Sequence, residues 1–571
     1  MRVKRLLVIV ITVVGAVIPA LTQEYPRYRV AASIFQPLDS WVYPALEQLS
    51  ALGYVTTAMT GMRPWPRIEC ARLVEEASDA LQKSILEDHR PSELAVRLHA
   101  ALEREFDFEL EVLGGGRTRS LRLESVYTRV MSISGRPLTD GYHFGQTIVN
   151  DFGRPFAQGA NLTTGFSAAV QEGHFAIYVR GEYQHAPGAP ALSEAVRTLI
   201  SKVDQTLIQP AAPFPETNRF QLLDAYLALN FKNWQFSFGK QSLWWGPGLG
   251  GSLIFSNNTE PIPMMRLTRV VPFKLPTFLG WLGPARVDSF FGQLSGHRFI
   301  ETQSGLFGRP VDPQPFLYGL KISFKPTANL EFGFSGTTIY GGPGLPMTFA
   351  GLFRSLTDYG GEQGTLGPKD PGDRRSGFDF SYRIPGLRNR LILYADSFAE
   401  DEISPIRFPH RSAMNPGIYV PRIPGIPKLD LRVEGAYTDL PDGLLFPGFY
   451  YFNVRYLGGY TYKGRLIGHW IGRQGHGVQA WTTYWFSPQN TLQLSWRHGK
   501  VSGDFIPGGG TVNDISLHAS FRIRPQMNLS TFLQYERWAF PVLSSGARSN
   551  FTSSLQLTVH PRIWNKQVDH D

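Results

Sequence analysis

Apolar and polar residues alternate in segment after segment of the chain, from about residue 119 to about residue 560. In one segment Phe175, Ile177 and Val179 are apolar, whereas Arg180 and Glu182 fall in the opposite phase. Successive side chains of a β-strand point to opposite faces, so each segment would have one apolar and one polar face. A soluble sandwich does this over about seven short strands. Here the pattern predicts about eighteen strands of about ten residues, which is typical of a transmembrane β-barrel.

The connections between these segments fall into two length classes. The short class is rich in Pro and Asn and comprises residues 231–233, 325–329, 384–386, 487–490 and 524–526. The long class is rich in Gly and Pro and comprises residues 186–218, 242–284, 341–375, 400–428 and 458–475. Bacterial outer membrane barrels have short periplasmic turns and long extracellular loops. The connections therefore predict a barrel whose long loops face the outside of the cell.

The number of strands should be even, because both chain ends are expected in the periplasm. A plain tally of alternating segments is odd until residues 264–271 are added, and it then reaches about eighteen. Residues 142–150 are assigned to a loop. The other strands are expected at residues 120–131, 161–170, 174–183, 220–230, 234–241, 286–296, 316–324, 330–339, 378–382, 391–397, 429–436, 450–456, 478–486, 492–498, 512–521, 529–535 and 551–560.

The start of the chain differs from the rest. Basic residues at positions 2, 4 and 5 precede the apolar run 6–20, which ends in small residues. This arrangement is typical of a cleaved secretory signal, so residues 1–23 are expected to direct export, with a retained anchor helix as the alternative. Cys70 is the only cysteine, which excludes an intrachain disulfide and a cysteine-based metal site.

Residues 37–105 have helical periodicity, in three runs that each follow a proline, and Gly53 is a candidate C-cap for the first run. These amphipathic helices are too short to span a membrane, so they are expected to form a small bundle or a plug. The fold class is therefore an all-β transmembrane barrel with a small N-terminal α-helical bundle in the periplasm. The expected domains are a signal peptide at 1–23, the helical bundle at 24–113 and the barrel with long extracellular loops at 114–571.

The net charge of +9 comes from 56 Lys and Arg against 47 Asp and Glu. A basic excess can serve nucleic acid, anionic lipid or an acidic polymer. Export argues against nucleic acid, so acidic glycans and the phosphates of lipopolysaccharide are the expected partners. Ordinary solvated charge is the alternative reading.

The most distinctive local feature is a block of glycines, tryptophans and asparagines at residues 239–258. Trp244 and Trp245 offer flat aromatic faces, which suit stacking on the C–H surfaces of sugars. Asn257 and Asn258 supply amides that can bond sugar hydroxyls. Alternatively, the two tryptophans belong to an interfacial girdle or pack a loop into the lumen.

Patterns for catalysis are weak. The carboxylates between residues 396 and 402 could form an acid/base pair or a cation site, but a charge run at a loop tip explains them as well. His469 and His476 lie in a Gly-rich loop without the spacing of metal ligands. Nucleophile elbows and phosphate loops are absent from the sequence. We therefore expect no catalytic residues, no metal, no cofactor and no enzymatic activity.

The chain resembles the Wzi-type capsule assembly family of outer membrane proteins. The resemblance extends in order over nearly the whole mature chain, and its most specific part is the stretch 244–258 with the prolines at 261 and 263. The other stretches that carry it are residues 43–53, 150–155, 165–168, 181–187, 379–380, 393–396 and 430–438. The resemblance implies an eighteen-stranded barrel with a periplasmic helical bundle, whose extracellular loops act as a surface lectin for capsular polysaccharide.

The resulting prediction is a non-catalytic protein of the bacterial outer membrane that binds or anchors capsular or extracellular polysaccharide. The expected partners are that polysaccharide, outer membrane lipid or lipopolysaccharide and, as a further candidate, the polysaccharide export machinery. A diffusion porin is the alternative function, and an outer membrane enzyme is a weaker third. The residues expected to bind polysaccharide or to order the loops are Trp244, Trp245, Asn257, Asn258, Arg266 and Arg154.

Overall fold

Eighteen antiparallel strands form a closed barrel in the part of the chain that the structure describes. The structure is a computed structural model and describes residues 31–348, 350–353, 370, 372–387, 390–400, 411–439 and 446–561. Each strand pairs with the next strand in the chain, and the first pairs with the last through residues 126–133 and 552–559. The predicted all-β barrel and its even strand number are confirmed. The predicted signal peptide, residues 1–23, lies outside the described residues.

The barrel strands are numbered in chain order. They are β1 Arg119–Ile133, β2 Gly159–Glu172, β3 Phe175–Ala186, β4 Thr217–Phe231, β5 Trp234–Gln241, β6 Ile262–Arg269, β7 Pro284–Gln293, β8 Phe316–Thr327, β9 Leu330–Tyr340, β10 Asp373–Arg383, β11 Ile392–Glu400, β12 Ala413–Val420, β13 Leu429–Tyr437, β14 Gly475–Ser487, β15 Asn490–Val501, β16 Gly510–Arg524, β17 Met527–Ala539 and β18 Arg548–Val559.

The alternation of the sequence becomes the two faces of the barrel wall. On β3, Phe175 and Ile177 are exposed on the outer surface, whereas Tyr178, Arg180 and Glu182 point inward and are buried. In water an outer surface of this kind would be unfavourable, but in lipid it is the stable arrangement. Because the barrel is closed, every strand also finds backbone partners on both sides, which a lipid environment requires.

Two strand predictions are wrong, and they compensate each other in the count. Residues 450–456 were expected to be a strand, but Tyr450, Tyr451 and Tyr456 are buried in a loop that fills the lumen. Strand β12 lies within residues 400–428, which were predicted to be a long loop rich in Gly and Pro; its Pro416 is unusual inside a strand. Pro416 is tolerated since the ladder to β13 skips it.

The short connections lie at one end of the barrel and the long ones at the other, as predicted. All five predicted short turns join neighbouring strands at the end where β1 begins and β18 ends. The predicted loop 242–284 is interrupted by β6, which supplies the strand expected at 264–271. Residues 142–150 belong to a loop, as expected, although a small hairpin of two-residue strands lies within that loop.

Helices pack at the short-turn end. They are α1 Val42–Leu52, α2 Arg67–Leu86, α3 Glu93–Glu105 and α4 Asp107–Leu113, and a further helix, α5 Glu194–Val203, lies in the loop between β3 and β4. The predicted cap Gly53 has a left-handed φ of 93°, which glycine adopts without strain. The helices share a hydrophobic core with Val270, Val271 and Trp485 of the barrel. Among the described residues, no helix combines the length and apolar character needed to cross a membrane.

The chain around the helices enters the lumen and hydrogen-bonds to one side of the wall. The Phe35 N–H donates to the Tyr226 hydroxyl on β4 at 2.8 Å. Farther along, the N–H groups of Thr60 and Gly61 each donate to the Glu331 carboxylate on β9 at 2.8 Å. The backbone of Arg63 then pairs with that of Trp244, which lies in a loop from the opposite end. The N-terminal segment therefore reaches the middle of the barrel.

Replacing Glu331 by Ala should release residues 58–65 from the wall and leave the barrel intact. Hydrogen bonds to a charged group contribute ~1.5–3 kcal/mol each, so docking of this segment should weaken by at least about 3 kcal/mol. Hydrogen exchange at the Thr60 and Gly61 amides should become faster, while heat-modifiable gel mobility stays unchanged. Ser530→Ala, an inward substitution away from the segment, is the control. Unchanged exchange at both amides would show that other contacts hold the segment.

Candidate functional site in the barrel lumen

The loop between β5 and β6, residues 242–261, folds into the lumen instead of extending outward. All of its residues are buried except Leu249, which is 37% exposed. The Trp245 indole packs edge-to-face on Phe255 and Phe290, with ring centroids 5.4 and 5.5 Å apart. Its N–H donates to Asp288 at 3.3 Å. The tryptophan that was expected to meet a sugar is therefore enclosed by other rings.

Inward carboxylates of the wall bind the backbone of this loop. Glu434 accepts hydrogen bonds from the N–H groups of Leu249 and Gly250 at 2.6 and 2.9 Å. Asp396 accepts from the Leu253 N–H at 2.8 Å, and Asp224 accepts from the Ser242 N–H at 3.0 Å. An irregular loop has no ladder partners, so these carboxylates satisfy N–H groups that would otherwise be buried without a bond.

Glycines allow the loop to approach its neighbours closely. A Cβ atom on Gly251 would lie 2.4 Å from the His469 ring, and one on Gly250 would lie 2.6 Å from the Gln479 side chain. Both separations are shorter than real carbon contacts. The glycines of the block thus serve packing against the loop between β13 and β14 and against strand β14.

Asn258 joins three loops at one point. Its amide N–H donates to the Gly468 carbonyl at 2.8 Å, and its amide oxygen accepts from the Asn150 N–H at 2.9 Å. Asn150 belongs to the loop between β1 and β2, and its amide in turn donates to the Gly250 carbonyl at 2.7 Å. Asn257 is also buried beside this junction. The Asn258 amide, a candidate for sugar recognition, is thus engaged in contacts between loops.

The two predicted arginines form buried ion pairs. Arg154 donates to Glu182 of β3 at 2.9 and 2.5 Å and to Asp151 at 2.5 Å. Arg266 of β6 binds Asp288 of β7 through two hydrogen bonds of 2.7 and 2.8 Å. Because Asp288 also accepts from the Trp245 indole, it connects Arg266 to the loop. Burial raises the pKa of Asp151, but Arg129 and Arg154 outweigh this effect and hold it below its usual value.

The structure therefore places all six predicted residues inside the lumen, where Asp288 connects Trp245 to Arg266 and Asn258 connects three loops. The six side chains are between 1% and 7% exposed, and none of them lies on the outer surface. Sequence reasoning missed the wall carboxylates Asp224, Asp288, Asp396 and Glu434 as partners of the loop. Their signal was present, because each is an acidic residue at an inward position of an alternating segment.

A second network closes the lumen on the other side. His143, in the loop between β1 and β2, contacts Asp140 through Nδ1 at 2.7 Å and Asp204 through Nε2 at 3.0 Å. Asp204 follows helix α5 and also accepts from Arg473 at 2.6 Å. Burial lowers the pKa of His143, but the two aspartates outweigh burial and raise it to about 10. Asp204 thus joins three loops, because it binds His143 of the loop between β1 and β2 and Arg473 of the loop between β13 and β14.

The outer face above these networks carries exposed cations together with exposed carboxylates such as Glu216 and Asp312. Arg219, Arg298, Arg309 and Lys463 are exposed, and Arg465 is half-buried. Burial and the nearby Arg309 guanidinium lower the pKa of Arg298. Burial and Arg219 likewise lower the pKa of Arg465. Neither Arg298 nor Arg309 forms an ion pair with a carboxylate that the structure describes, so positive charge faces the outside.

The structure also shows where the residues considered for catalysis or metal binding lie. Asp396 and Glu400 of the predicted carboxylate run point inward on β11, whereas residues 401 and 402 lie outside the described residues. His469 is buried, and burial with the nearby Arg497 lowers its pKa to about 3. Within the described part of the chain, no group of three or more His, Cys, Asp or Glu side chains could hold a metal ion.

Comparison with known proteins shows which family the chain belongs to. The model of the family described as capsule assembly protein Wzi matches residues 128–553. A relative from Klebsiella pneumoniae, called an uncharacterized 55.8 kDa protein in the cps region, is 29% identical over 187 residues. That match covers 32% of this chain and 34% of the relative, so the chain spans about a third of the length of the curated relative it matches.

Solved structures share the fold. Wzi of Escherichia coli, described as an outer membrane protein involved in group 1 capsule assembly and a carbohydrate-binding β-barrel, matches with a TM-score of 0.64 and 18% identity. The match covers 93% of this chain and 100% of that one. OccD3 (OpdP) of Pseudomonas aeruginosa matches with a TM-score of 0.41 and 9% identity over 76% of this chain and 91% of its own.

The His143 network predicts a pH dependence of loop closure. The folded pKa near 10 lies above the ordinary 6.5, so protonation stabilises the closed loops fully below about pH 6.5. This stabilisation is lost as the pH rises to about 10. Protease protection of the α5 loop should therefore fall over that range. His143→Gln should be less protected at pH 7 and should lack the trend, whereas His89→Gln, an exposed control, should behave like the original protein. A flat profile in the original protein would contradict the assignment.

Proposed function

The chain belongs to the capsule assembly protein Wzi family, and from that premise we propose that it holds capsular or related extracellular polysaccharide at the cell surface. It is an outer membrane protein, as its closed barrel with an apolar outer surface requires. Wzi of Escherichia coli, which is described as a carbohydrate-binding β-barrel, shares this fold. The proposed role is binding rather than catalysis.

The observation that carries this proposal is the filled outer end of the lumen. Residues 242–261 pack with Phe290 of the wall and with Tyr451 and Tyr460 from the loop between β13 and β14. On the other side, the loop between β1 and β2 packs with α5. A diffusion pore needs an open path for solutes, whereas this arrangement builds a rigid platform at the outside. It supports a binding surface over the alternative of a porin.

We place the polysaccharide on the outer face, where cations are exposed. Acidic sugars are attracted by exposed guanidinium groups, and Arg298 and Arg309 are available for such contacts. The whole chain is also positively charged, with 56 basic and 47 acidic residues. Trp244, Trp245, Asn257, Asn258, Arg154 and Arg266 then act by ordering the loops beneath this face. Their burial supports that role, as do the bonds of Asn258 to two other loops and of Trp245 and Arg266 to Asp288.

The filled lumen predicts a low conductance. In planar bilayers the purified protein should pass little current, because residues 242–261 occupy the outer end. Trp244→Ala with Trp245→Ala should raise the conductance, since truncating a buried Trp costs about 3–5 kcal/mol and frees the loop. Heat-modifiable gel mobility should remain, because neither residue belongs to a strand. A large, steady current through the original protein would support the porin instead.

The outer cations predict a charge effect on polysaccharide retention. Arg298→Glu with Arg309→Glu should lower cell-bound polysaccharide and increase the shed fraction. Two lost contacts of about 0.7 kcal/mol each correspond to about tenfold weaker binding. Lys232→Glu with Lys274→Glu makes the same charge change at the short-turn end and is the matched control. Retention that is unchanged in the outer variant, or equally reduced in the control, would overturn the placement of the site.

A further inference from the structure

A cavity of about 900 Å³ remains in the lumen beneath the loops. It lies between the N-terminal segment and the wall formed by strands β12 to β18 and β1 to β3. Gln526 and His560 line it at the short-turn end, and Phe152 and Leu249 line it at the outer end. Along β18 it extends from residue 554 to residue 560, which is about 20 Å of strand. Ligand pockets for small molecules have volumes of about 300–1,000 Å³.

The N-terminal segment fills one part of the lumen and leaves this cavity beside it. The segment hydrogen-bonds to Tyr226, Gln235 and Glu331 on β4, β5 and β9. It is also bound at the edge of the cavity, where Asp39 accepts from Arg180 of β3. The side of the wall from β15 to β18 faces the open space. An incidental packing defect would be small and apolar, whereas this space is large and many of its lining groups are polar.

The chemistry of the free wall is that of hydroxyls and amides. Residues that line it from β15 to β18 include Gln493, Ser520, Asn528, Ser530, Gln556 and Thr558. These four strands are fully described, and none of their cavity-lining residues is acidic. Hydroxyl and amide groups both donate and accept hydrogen bonds, as sugar hydroxyls do. The wall therefore matches the hydrogen-bonding character of a carbohydrate along its length.

Aromatic and cationic groups complete the cavity. Trp481 and Trp485, which are four residues apart on β14, both point inward and line it. The Trp485 indole is fixed by a 2.8 Å hydrogen bond to Asp430. At the short-turn end lie Arg104 of α3 and Arg522 of β16, with the Glu105 carboxylate near Arg522. Flat aromatic faces suit the C–H surfaces of sugar rings, and guanidinium groups suit the carboxylate of an acidic sugar.

We propose that this cavity is a second carbohydrate site, which takes an oligosaccharide segment from the periplasmic side. The inference rests on the proposed function only in that the ligand is a carbohydrate; it concerns a different end of the protein. Its opening lies among the short turns, whereas the outer cations face the cell exterior. Both sites would be occupied by parts of the same kind of polymer.

The test uses the full chain with Ser530→Cys, which places a thiol on the free wall. Cys70 is buried, so the original protein provides the background for labelling by a small charged thiol reagent. Oligosaccharides released by mild acid from the polysaccharide of the same cells are the probe, and maltoheptaose is the neutral comparison. Saturating probe should slow labelling of Ser530→Cys at least about tenfold. Ser549→Cys, exposed at the outer end of β18, should label at an unchanged rate.

Sidedness and independence are tested with the same variants. On whole cells, a large impermeant maleimide should label Ser549→Cys but not Ser530→Cys. Protection of Ser530→Cys should persist in the Arg298→Glu, Arg309→Glu background, because the outer cations are not part of the cavity. Ser554→Trp, which fills the cavity, should abolish protection; Gln556→Ala should weaken it if the bulky variant misfolds.

Two results would overturn the inference. Labelling of Ser530→Cys that no probe slows would mean that the cavity holds water alone. Labelling of Ser530→Cys from outside the cell would mean that it opens to the exterior. In either case the outer variant still reports on the proposed function, since loss of polysaccharide retention there does not depend on the cavity. Protection by maltoheptaose as strong as that by the acidic probe would support the site and exclude a role for Arg104 and Arg522 in selectivity.

Discussion

Carboxylates on the inner wall that accept hydrogen bonds from irregular backbone hold this structure together. Glu331 binds the N-terminal segment, Glu434 and Asp396 bind the loop 242–261, and Glu400 accepts from the Tyr451 N–H at 2.7 Å. A chain that enters a lumen loses the solvent that would satisfy its N–H groups, so it needs acceptors supplied by the wall. The strands form the barrel wall, and these acidic residues hold the N-terminal segment and the loops inside its lumen.

Much of the barrel could be predicted from the sequence, because the patterns that specify it are local. Alternation with a period of two and the contrast between short and long connections specify an even barrel, and they do so without knowledge of distant contacts. The failures have local reasons as well. Gly and Pro in residues 400–428 concealed strand β12, whose Pro416 is skipped by the ladder to β13. The aromatic run 450–456 has strand-like composition, although its rings pack in a loop.

The sequence allowed us to predict which residues belong to the candidate site, but not that their loop folds into the lumen. The density of Gly, Trp and Asn singled out residues 244–258, and the structure connects them to Arg154 and Arg266. Whether such a loop extends outward or folds inward depends on partners far away in the chain. Asp288 and Glu434 are 43 and 185 residues from the loop atoms that they bind. Local pattern does not report such distances, although acidic residues at inward positions provide a usable clue.

The pairing of Arg63 with Trp244 has a mechanical consequence. The two backbones exchange hydrogen bonds of 2.9 Å in the middle of the barrel. One belongs to a segment that enters from the short-turn end and the other to a loop that descends from the opposite end. Together with Asn258, which ties that loop to two others, they form a continuous linkage from one face of the membrane to the other. We therefore expect a displacement of the helices to be transmitted to the outer platform, which would couple the two ends of the protein mechanically.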